Sequence, residues 1–103
     1  MYLNDKIKRI IREKIYQEVN PEKVILFGSY AYGNANDESD IDIMVIENEL
    51  KTSKIKESIK IRNVLEDIKI PKDIIVLSND EFEFYKNEPG SVIRDAYERG
   101  EIL

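Results

Sequence analysis

The sequence predicts an α+β fold: a small mixed three-stranded sheet covered by helices on one face. Two amphipathic stretches with apolar residues at helical spacing alternate with three short apolar runs typical of strands. The lengths of the connections between these runs indicate how the strands pair. A chain of 103 residues supports one hydrophobic core, so we expect residues 1–103 to form a single domain.

The first half of the chain is predicted to form one helix and two strands. Residues 3–19 have helical periodicity, with Asn4 as the N-cap and the Asn20-Pro21 pair as the stop signal. The continuous apolar run at residues 24–27 is typical of a buried strand. Residues 40–46 begin with alternating aspartate and isoleucine and end on an apolar run, which predicts a second strand with a polar start.

The second half is predicted to form a long helix and a third strand. The helix covers residues 52–68, with Thr52 or Ser53 as its N-cap, and Pro71 follows its end. Four apolar residues are expected on its buried face: Ile55, Ile59, Leu65 and Ile68. Residues 73–77 form the third strand, and residues 81–85 form a helical turn. Ser91 caps a last helix, which Gly100 ends.

Connection lengths predict the pairing of the three strands. Eleven residues lie between Gly28 and Asp40, slightly fewer than a parallel crossover needs. The first and second strands are therefore predicted to be antiparallel. The segment from Glu47 to Lys72 has room for a helical crossover, so the second and third strands are predicted to be parallel.

Composition excludes several classes of chemistry. The chain has no cysteine and no histidine, which excludes disulfides, thiol nucleophiles, Cys/His zinc sites and imidazole acid–base catalysis. Its net charge of −5 argues against direct binding of a long nucleic acid. Because no long apolar run is present, we expect neither a membrane span nor a signal peptide, and we expect a cytoplasmic protein.

The Gly28-Ser29 pair follows the first predicted strand and is a candidate phosphate-binding turn. Gly28 leaves the backbone open to a ligand, Ser29 offers a hydroxyl, and the following amides are donors at a helix start. Taken alone, the pair is more typical of an ordinary tight turn with Ser29 as the N-cap.

Three aspartates at the starts of two strands form a candidate metal site. Asp40 and Asp42 share one face of the second strand, with Cα atoms about 6.6 Å apart. Oxygen-only ligands favour Mg²⁺ or Mn²⁺, although an isolated Asp-x-Asp is more typical of a solvated strand edge. If the third strand lies beside the second, Asp73 joins this pair and a two-metal site becomes feasible.

Together these features resemble the signature of the DNA polymerase β nucleotidyltransferase superfamily. The segment Phe27 to Val45 carries Gly-Ser, ten residues, and then Asp-x-Asp. The ending Gly-Ser-Val-Ile-Arg…Gly-Glu-Ile-Leu is similar to that of the minimal nucleotidyltransferase (MNT) branch, so the resemblance covers nearly the whole chain. It implies the nucleotidyltransferase fold.

The resemblance also implies roles for individual residues. Asp40 and Asp42 match the pair that binds two Mg²⁺ ions. Asp73 matches the third carboxylate, which completes one metal site and helps to deprotonate the attacking hydroxyl. Gly28 and Ser29 match the loop that holds the β- and γ-phosphates of ATP. The implied reaction is in-line attack on the α-phosphorus with release of pyrophosphate.

One position departs from the MNT pattern. Many members carry arginine where this chain has Tyr32. The resemblance therefore implies either weaker triphosphate binding or the transfer of that contact to a lysine.

The resemblance implies a protein partner. In the MNT branch it is typically an all-helical HEPN-domain ribonuclease toxin, and the MNT protein acts as antitoxin by moving AMP from ATP onto a toxin tyrosine. Four aromatic residues are a candidate docking face: Phe82, Phe84, Tyr85 and Tyr97. Packing against the sheet is an equally good interpretation for Phe82 and Tyr97. Self-association stays open.

Two other functions stay open at this point. One is a non-catalytic binding module that silences its partner by occlusion. The other is nucleotidyl transfer to a small hydroxylated molecule such as an aminoglycoside.

Overall fold

The computed structural model describes residues 3–103 and has the predicted α+β architecture. In chain order the elements are α1 (Asp5–Val19), β1 (Lys23–Phe27), α2 (Ser29–Tyr32), β2 (Ile41–Glu47), α3 (Lys54–Val64), β3 (Lys72–Ser78), α4 (Asn79–Tyr85), α5 (Val92–Arg99) and β4 (Glu101–Ile102). Within this described part of the chain, no helix is both long and apolar enough to cross a membrane.

The sheet contains the three predicted strands and a fourth that was not predicted. Its order is β3-β2-β1-β4. The β1/β2 pair is antiparallel and the β2/β3 pair is parallel, as the connection lengths indicated. The added strand β4 pairs antiparallel with β1, with Glu101 opposite Leu26 and Ile102 opposite Ile25. A strand of two residues is too short to show an alternating pattern, which is why the sequence did not reveal it.

Helices cover both faces of the sheet, so the prediction of helices on one face was wrong. Side chains alternate along β2, and Ile43 and Val45 lie on what we call the first face, which packs against α1 and α3. Met44 and Ile46 lie on the second face, with Phe82 of α4 among their neighbours. Short amphipathic segments such as α4 and α5 therefore bury the side of the sheet that α1 and α3 leave open.

Local capping sets the bounds of the helices. The side chain of Asn4 accepts a hydrogen bond of 2.9 Å from the amide of Ile7, and Asn20 ends α1 in the left-handed conformation with φ 45°. Ser53 caps α3 and Ser91 caps α5. These caps agree with the predictions.

The buried face of α3 differs from the predicted one. Ile55 and Ile59 are 73% and 50% exposed, whereas Glu57 and Ile61 are buried. Two of the four predicted residues are buried beyond the end of the helix: Leu65 and Ile68. A glutamate occupies an inward position of α3, so a search for apolar periodicity assigns the wrong phase to its first two turns.

Candidate active site

The register of the sheet brings two of the predicted aspartates together. In the parallel β2/β3 pair, Asp42 lies directly beside Asp73, and both are second residues of their strands. On its other side Asp42 is opposite Phe27, the last residue of β1. Asp42 therefore lies between Asp73 and the turn that starts at Gly28.

The three aspartates lie near one another at one end of the sheet. Alternation along β2 and β3 places Asp42 and Asp73 on the second face, and Asp40 precedes Asp42 by one strand repeat. Burial raises the pKa of Asp42 above its ordinary value, and the negative charges of Asp73 and Asp40 raise it further. Two negative charges, those of Asp73 and Asp40, thus lie near the partly buried carboxyl group of Asp42.

The backbone at Gly28 contacts the Asp42 carboxylate so closely that a side chain has no room. A Cβ atom added to Gly28 would lie 2.0 Å from Oδ2 of Asp42. The residue also has φ +73°, a conformation that favours glycine. Gly28, and not Ser29, occupies the N-cap position of α2, which differs from the ordinary-turn interpretation.

The short helix α2 presents Ser29 at its start. The amides of Ala31 and Tyr32 donate to the carbonyl oxygen of Gly28 at 3.0 and 2.9 Å. Gly33 ends the turn with φ +85°, and its amide donates to the carbonyl oxygen of Ser29 at 3.1 Å. Because the first amides of a helix have no partner within it, Ser29 can offer both an amide and a hydroxyl to an anion.

The donor set fits a hard divalent cation. Carboxylate oxygens are the ligands that Mg²⁺ prefers, and mutual repulsion favours a cation among them. Within residues 3–103, no group of three or more acidic side chains lies in an arrangement that could by itself hold a metal ion. Mg²⁺ is usually held by one or two carboxylates together with water and substrate phosphate oxygens, which suits an open set of this kind.

One neighbour of α2 was not predicted from the sequence. The guanidinium carbon of Arg99, the last residue of α5, lies 4.0 Å from the ring centroid of Tyr32. The contact joins two distant parts of the chain, and no local pattern links them. The predicted residues thus occupy one region, although their catalytic and binding roles stay predictions.

Comparisons with known sequences agree with this arrangement. The sequence model of the nucleotidyltransferase domain family matches residues 5–103. A protein of Methanocaldococcus jannaschii, named "Putative protein adenylyltransferase MJ0141", is 34% identical over 70 residues. That alignment covers 68% of this chain and 63% of the relative, so the chain spans less than two thirds of that protein's length.

Solved structures show the same fold. A crystal structure described as a "putative nucleotidyltransferase" from Sulfolobus solfataricus is 26% identical, with a TM-score of 0.54. The alignment covers 92% of this chain and 79% of that one. A second crystal structure of that description is 23% identical and has a TM-score of 0.55, over 81% of this chain and 89% of its own. The latter supports the fold alone.

The family match and the fold confirm the resemblance drawn from the Gly-Ser and Asp-x-Asp motifs. The matched segment contains Gly28, Ser29 and the three aspartates, and the structure gathers these residues at one end of the sheet. The chain belongs to the nucleotidyltransferase domain family.

Proposed function

We propose that this protein is a Mg²⁺-dependent nucleotidyltransferase that moves AMP from ATP onto a tyrosine of a HEPN-type ribonuclease toxin and thereby acts as its antitoxin. The observation that carries the proposal is the position of Asp42. It lies next to Asp73 of the neighbouring strand β3 on one side, and its carboxylate lies against the backbone of Gly28 on the other side. Carboxylates and a phosphate-binding turn then meet at one point.

The proposed reaction is an in-line displacement at the α-phosphorus. The acceptor hydroxyl oxygen forms a bond to that phosphorus, and the bond from the phosphorus to the oxygen bridging to the β-phosphate breaks. Pyrophosphate leaves with the electron pair of that bond. Asp73 accepts the hydroxyl proton, and Gly28 and Ser29 bind the β- and γ-phosphates through backbone amide and hydroxyl donors.

Asp40 and Asp42 are the residues that would hold Mg²⁺. When bound, the ion supplies positive charge that offsets the charge of the phosphates and polarises them. The close contact between Asp42 and Gly28 keeps this carboxylate next to the phosphate-binding turn. Orientation of the triphosphate against the carboxylates is then the main contribution of the protein.

A protein acceptor is supported by two observations. The relative from M. jannaschii is named as a protein adenylyltransferase. The aromatic residues near the C-terminus also leave an apolar surface: Phe84 is 65% exposed, Tyr85 42% and Tyr97 47%. Phe82, by contrast, is only 1% exposed and packs against the sheet, so it is not part of a docking surface.

The test uses labelled ATP, Mg²⁺ and a purified HEPN-type ribonuclease. We expect label on a ribonuclease tyrosine with the wild-type protein and none with Asp42→Asn, and the exposed Glu49→Gln serves as the matched control. Inhibition of the ribonuclease by Asp42→Asn without any label would overturn the transfer and favour occlusion. Label on a small hydroxylated molecule instead would overturn the protein acceptor.

A further inference from the structure

The contact between Tyr32 and Arg99 lies on the same side of the sheet as the three aspartates. The Tyr32 side chain packs against the cluster on the second face, which includes Phe27 and Met44. Phe27 is opposite Asp42 in the sheet register. Tyr32 is also the last residue of α2, the short helix that begins at Ser29. Arg99 therefore brings a positive charge next to the helix of the phosphate-binding turn.

Arg99 is free of the ion pairs that engage its neighbours. Arg94, on the same helix, pairs with Glu98 through an Nε–Oε1 distance of 2.7 Å. Glu101, two residues after Arg99, pairs with Lys8 at 3.0 Å. Among residues 3–103, no ion pair includes Arg99. An exposed arginine that is stacked on a ring but not paired retains its full charge for a ligand.

The backbone after Arg99 is fixed against the end of β1. A Cβ atom added to Gly100 would lie 2.4 Å from the carbonyl oxygen of Ala96 and 2.9 Å from that of Leu26. The next residue, Glu101, pairs with Leu26 in the sheet. Gly100 therefore allows α5 to end directly against β1, two residues before Gly28. The position of Arg99 follows from this packing and not from a mobile terminus.

Stacking leaves the donors of Arg99 available. The guanidinium carbon lies over the ring of Tyr32, 4.0 Å from its centroid, which is within the range of a cation–π contact. The N–H donors lie in the guanidinium plane, and their fork matches two oxygens of a phosphate group. A cation that is already immobilised loses less entropy when the anion binds.

We propose that Arg99, held on the ring of Tyr32, binds the β- and γ-phosphates of the nucleoside triphosphate. This inference rests on the proposed nucleotidyltransferase function. It assigns the triphosphate contact to an arginine of α5, where the family resemblance implied weaker binding or a lysine. Arg99 would contact the substrate directly. Tyr32 acts through Arg99 and is a positioning residue.

The hydroxyl of Tyr32 offers a way to separate the ring from the polar group. This oxygen is buried and has no hydrogen-bond partner among the described residues. Tyr32→Phe therefore keeps the stacking surface and removes only an unsatisfied group, whereas Tyr32→Leu removes the ring.

The first experiment measures binding of ATP and of AMP in the presence of Mg²⁺ by titration calorimetry. We expect Arg99→Gln to weaken ATP binding by about 10- to 100-fold, the range of a charge-assisted hydrogen bond, and to change AMP binding by less than about 2-fold. Arg94→Gln is the matched control, because it removes the same charge from the same helix, and it is expected to bind ATP like the wild type. Equal ATP affinity in Arg99→Gln and the wild type would overturn the inference.

The second experiment tests the positioning role of Tyr32. Tyr32→Phe is expected to bind ATP with the wild-type affinity. Tyr32→Leu is expected to weaken ATP binding nearly as much as Arg99→Gln does. Combining Tyr32→Leu with Arg99→Gln should then weaken ATP binding no further than Arg99→Gln alone. Additive losses would overturn the stacked arrangement. Circular dichroism and thermal melting check that each variant folds.

The outcome for the wild type separates this inference from the proposed function. If the wild-type protein binds ATP and Arg99→Gln binds it equally well, the triphosphate contact of Arg99 fails and the proposed function stands. If the wild-type protein binds no nucleoside triphosphate with Mg²⁺, the proposed function fails and this inference fails with it.

Discussion

Strand β2 carries a carboxylate near each end, and the chain compensates the charge at only one of the two ends. Near the amino end, the partly buried Asp42 lies beside Asp73 and is raised in pKa by burial and by its acidic neighbours. At the carboxyl end, Glu47 is 2% exposed and interacts with Glu57 of α3, which is fully buried. Both ends therefore bring acidic groups together.

The glutamate pair is neutralised by the chain itself. Oε2 of Glu57 accepts a hydrogen bond of 2.6 Å from the Thr52 hydroxyl and lies 2.9 Å from Nζ of Lys60. The hydrogen bond from Thr52 is the largest cause that lowers the pKa of Glu57, and burial opposes it. Burial raises the pKa of Glu47 to about 7, helped by a hydrogen bond with Glu57 and by its charge. The remaining oxygens of the pair lack partners in the described structure unless the two groups share a proton.

The aspartates lack these compensations. No ion pair among residues 3–103 includes Asp40, Asp42 or Asp73. The difference teaches that the presence of a compensating cation and proton within the chain, more than the number of acidic groups, separates a neutralised structural pair from a cluster whose repulsion is uncompensated.

The first prediction concerns Asp42, near the amino end of β2. Asp42→Asn keeps the shape of the side chain and removes its charge, so we expect nucleotidyl transfer to fall by about 1000-fold or more, equivalent to about 4 kcal/mol. Stability should stay within about 1 kcal/mol of the wild type or rise, because repulsion from Asp73 and Asp40 is relieved. Transfer assays and urea unfolding measure the two quantities. Glu47→Gln is the matched control, and an equal loss of transfer there would contradict the division of roles.

The second prediction concerns the contact between Asp42 and Gly28. Gly28→Ala forces a methyl group toward the Asp42 carboxylate and displaces it. We expect nucleotidyl transfer to fall by about 100-fold, because a misplaced group in an active site typically costs about this much in rate. Gly90→Ala is the control, because Gly90 has φ +80° and no atom within 4 Å of an added Cβ. In both variants alanine adopts a positive φ, which should lower the free energy of unfolding in urea by about 1–2 kcal/mol. Only Gly28→Ala adds the clash with Asp42. Equal transfer rates in the two variants would show that the contact is unimportant.

Most of the site could be predicted from sequence because its residues mark the ends of strands. Gly28 interrupts an apolar run, and the Asp40-Ile41-Asp42 alternation opens the next one, so local pattern alone places them. The position of Asp73 followed from one further step, since the connection before it is long enough for a parallel crossover. The antiparallel and parallel pairings of the three long strands were predicted correctly for the same reason.

What sequence reasoning missed depends on contacts between distant parts of the chain. The stacking of Arg99 on Tyr32 and the short strand β4 have no local pattern. The buried glutamates were missed because a buried position is normally sought as an apolar one. Glu57 left one signal: it lies four residues before Ile61, on the same side of the helix.

The third prediction concerns the pH dependence of stability caused by Glu47, at the carboxyl end of β2. Because the pKa of Glu47 is raised from 4.5 to about 7, the folded protein holds a proton that the unfolded chain has released between these values. Stability therefore falls as pH rises through this window, by on the order of 2 kcal/mol. The lowered pKa of Glu57 contributes stability that is lost only in more acidic solution, below the unfolded value of 4.5. Urea unfolding between about pH 5 and about pH 8 measures the slope.

A glutamine at position 47 provides the control for this slope. Glu47→Gln is permanently neutral and can donate a hydrogen bond to Glu57, so the decline in stability with pH should disappear. Glu49→Gln changes an exposed residue two positions after the end of β2 and should retain the wild-type slope. A slope that persists in Glu47→Gln would show that the pair does not hold a proton.

The fourth prediction has the smallest expected effect and concerns the stabilisation of the folded protein by Mg²⁺. Mg²⁺ that binds only the folded protein should stabilise it by about 1.4 kcal/mol at ten times its dissociation constant. Glu47→Gln should respond like the wild type, because the Lys60 ammonium already occupies one side of the glutamate pair. Asp42→Asn should lose the response, since it removes a ligand from the cluster that has no cation of its own. Thermal melting with and without Mg²⁺ measures the shift. A response that survives in Asp42→Asn and vanishes in Glu47→Gln would place the cation at the carboxyl end of β2, and it would mean that the Lys60 contact does not exclude a metal ion.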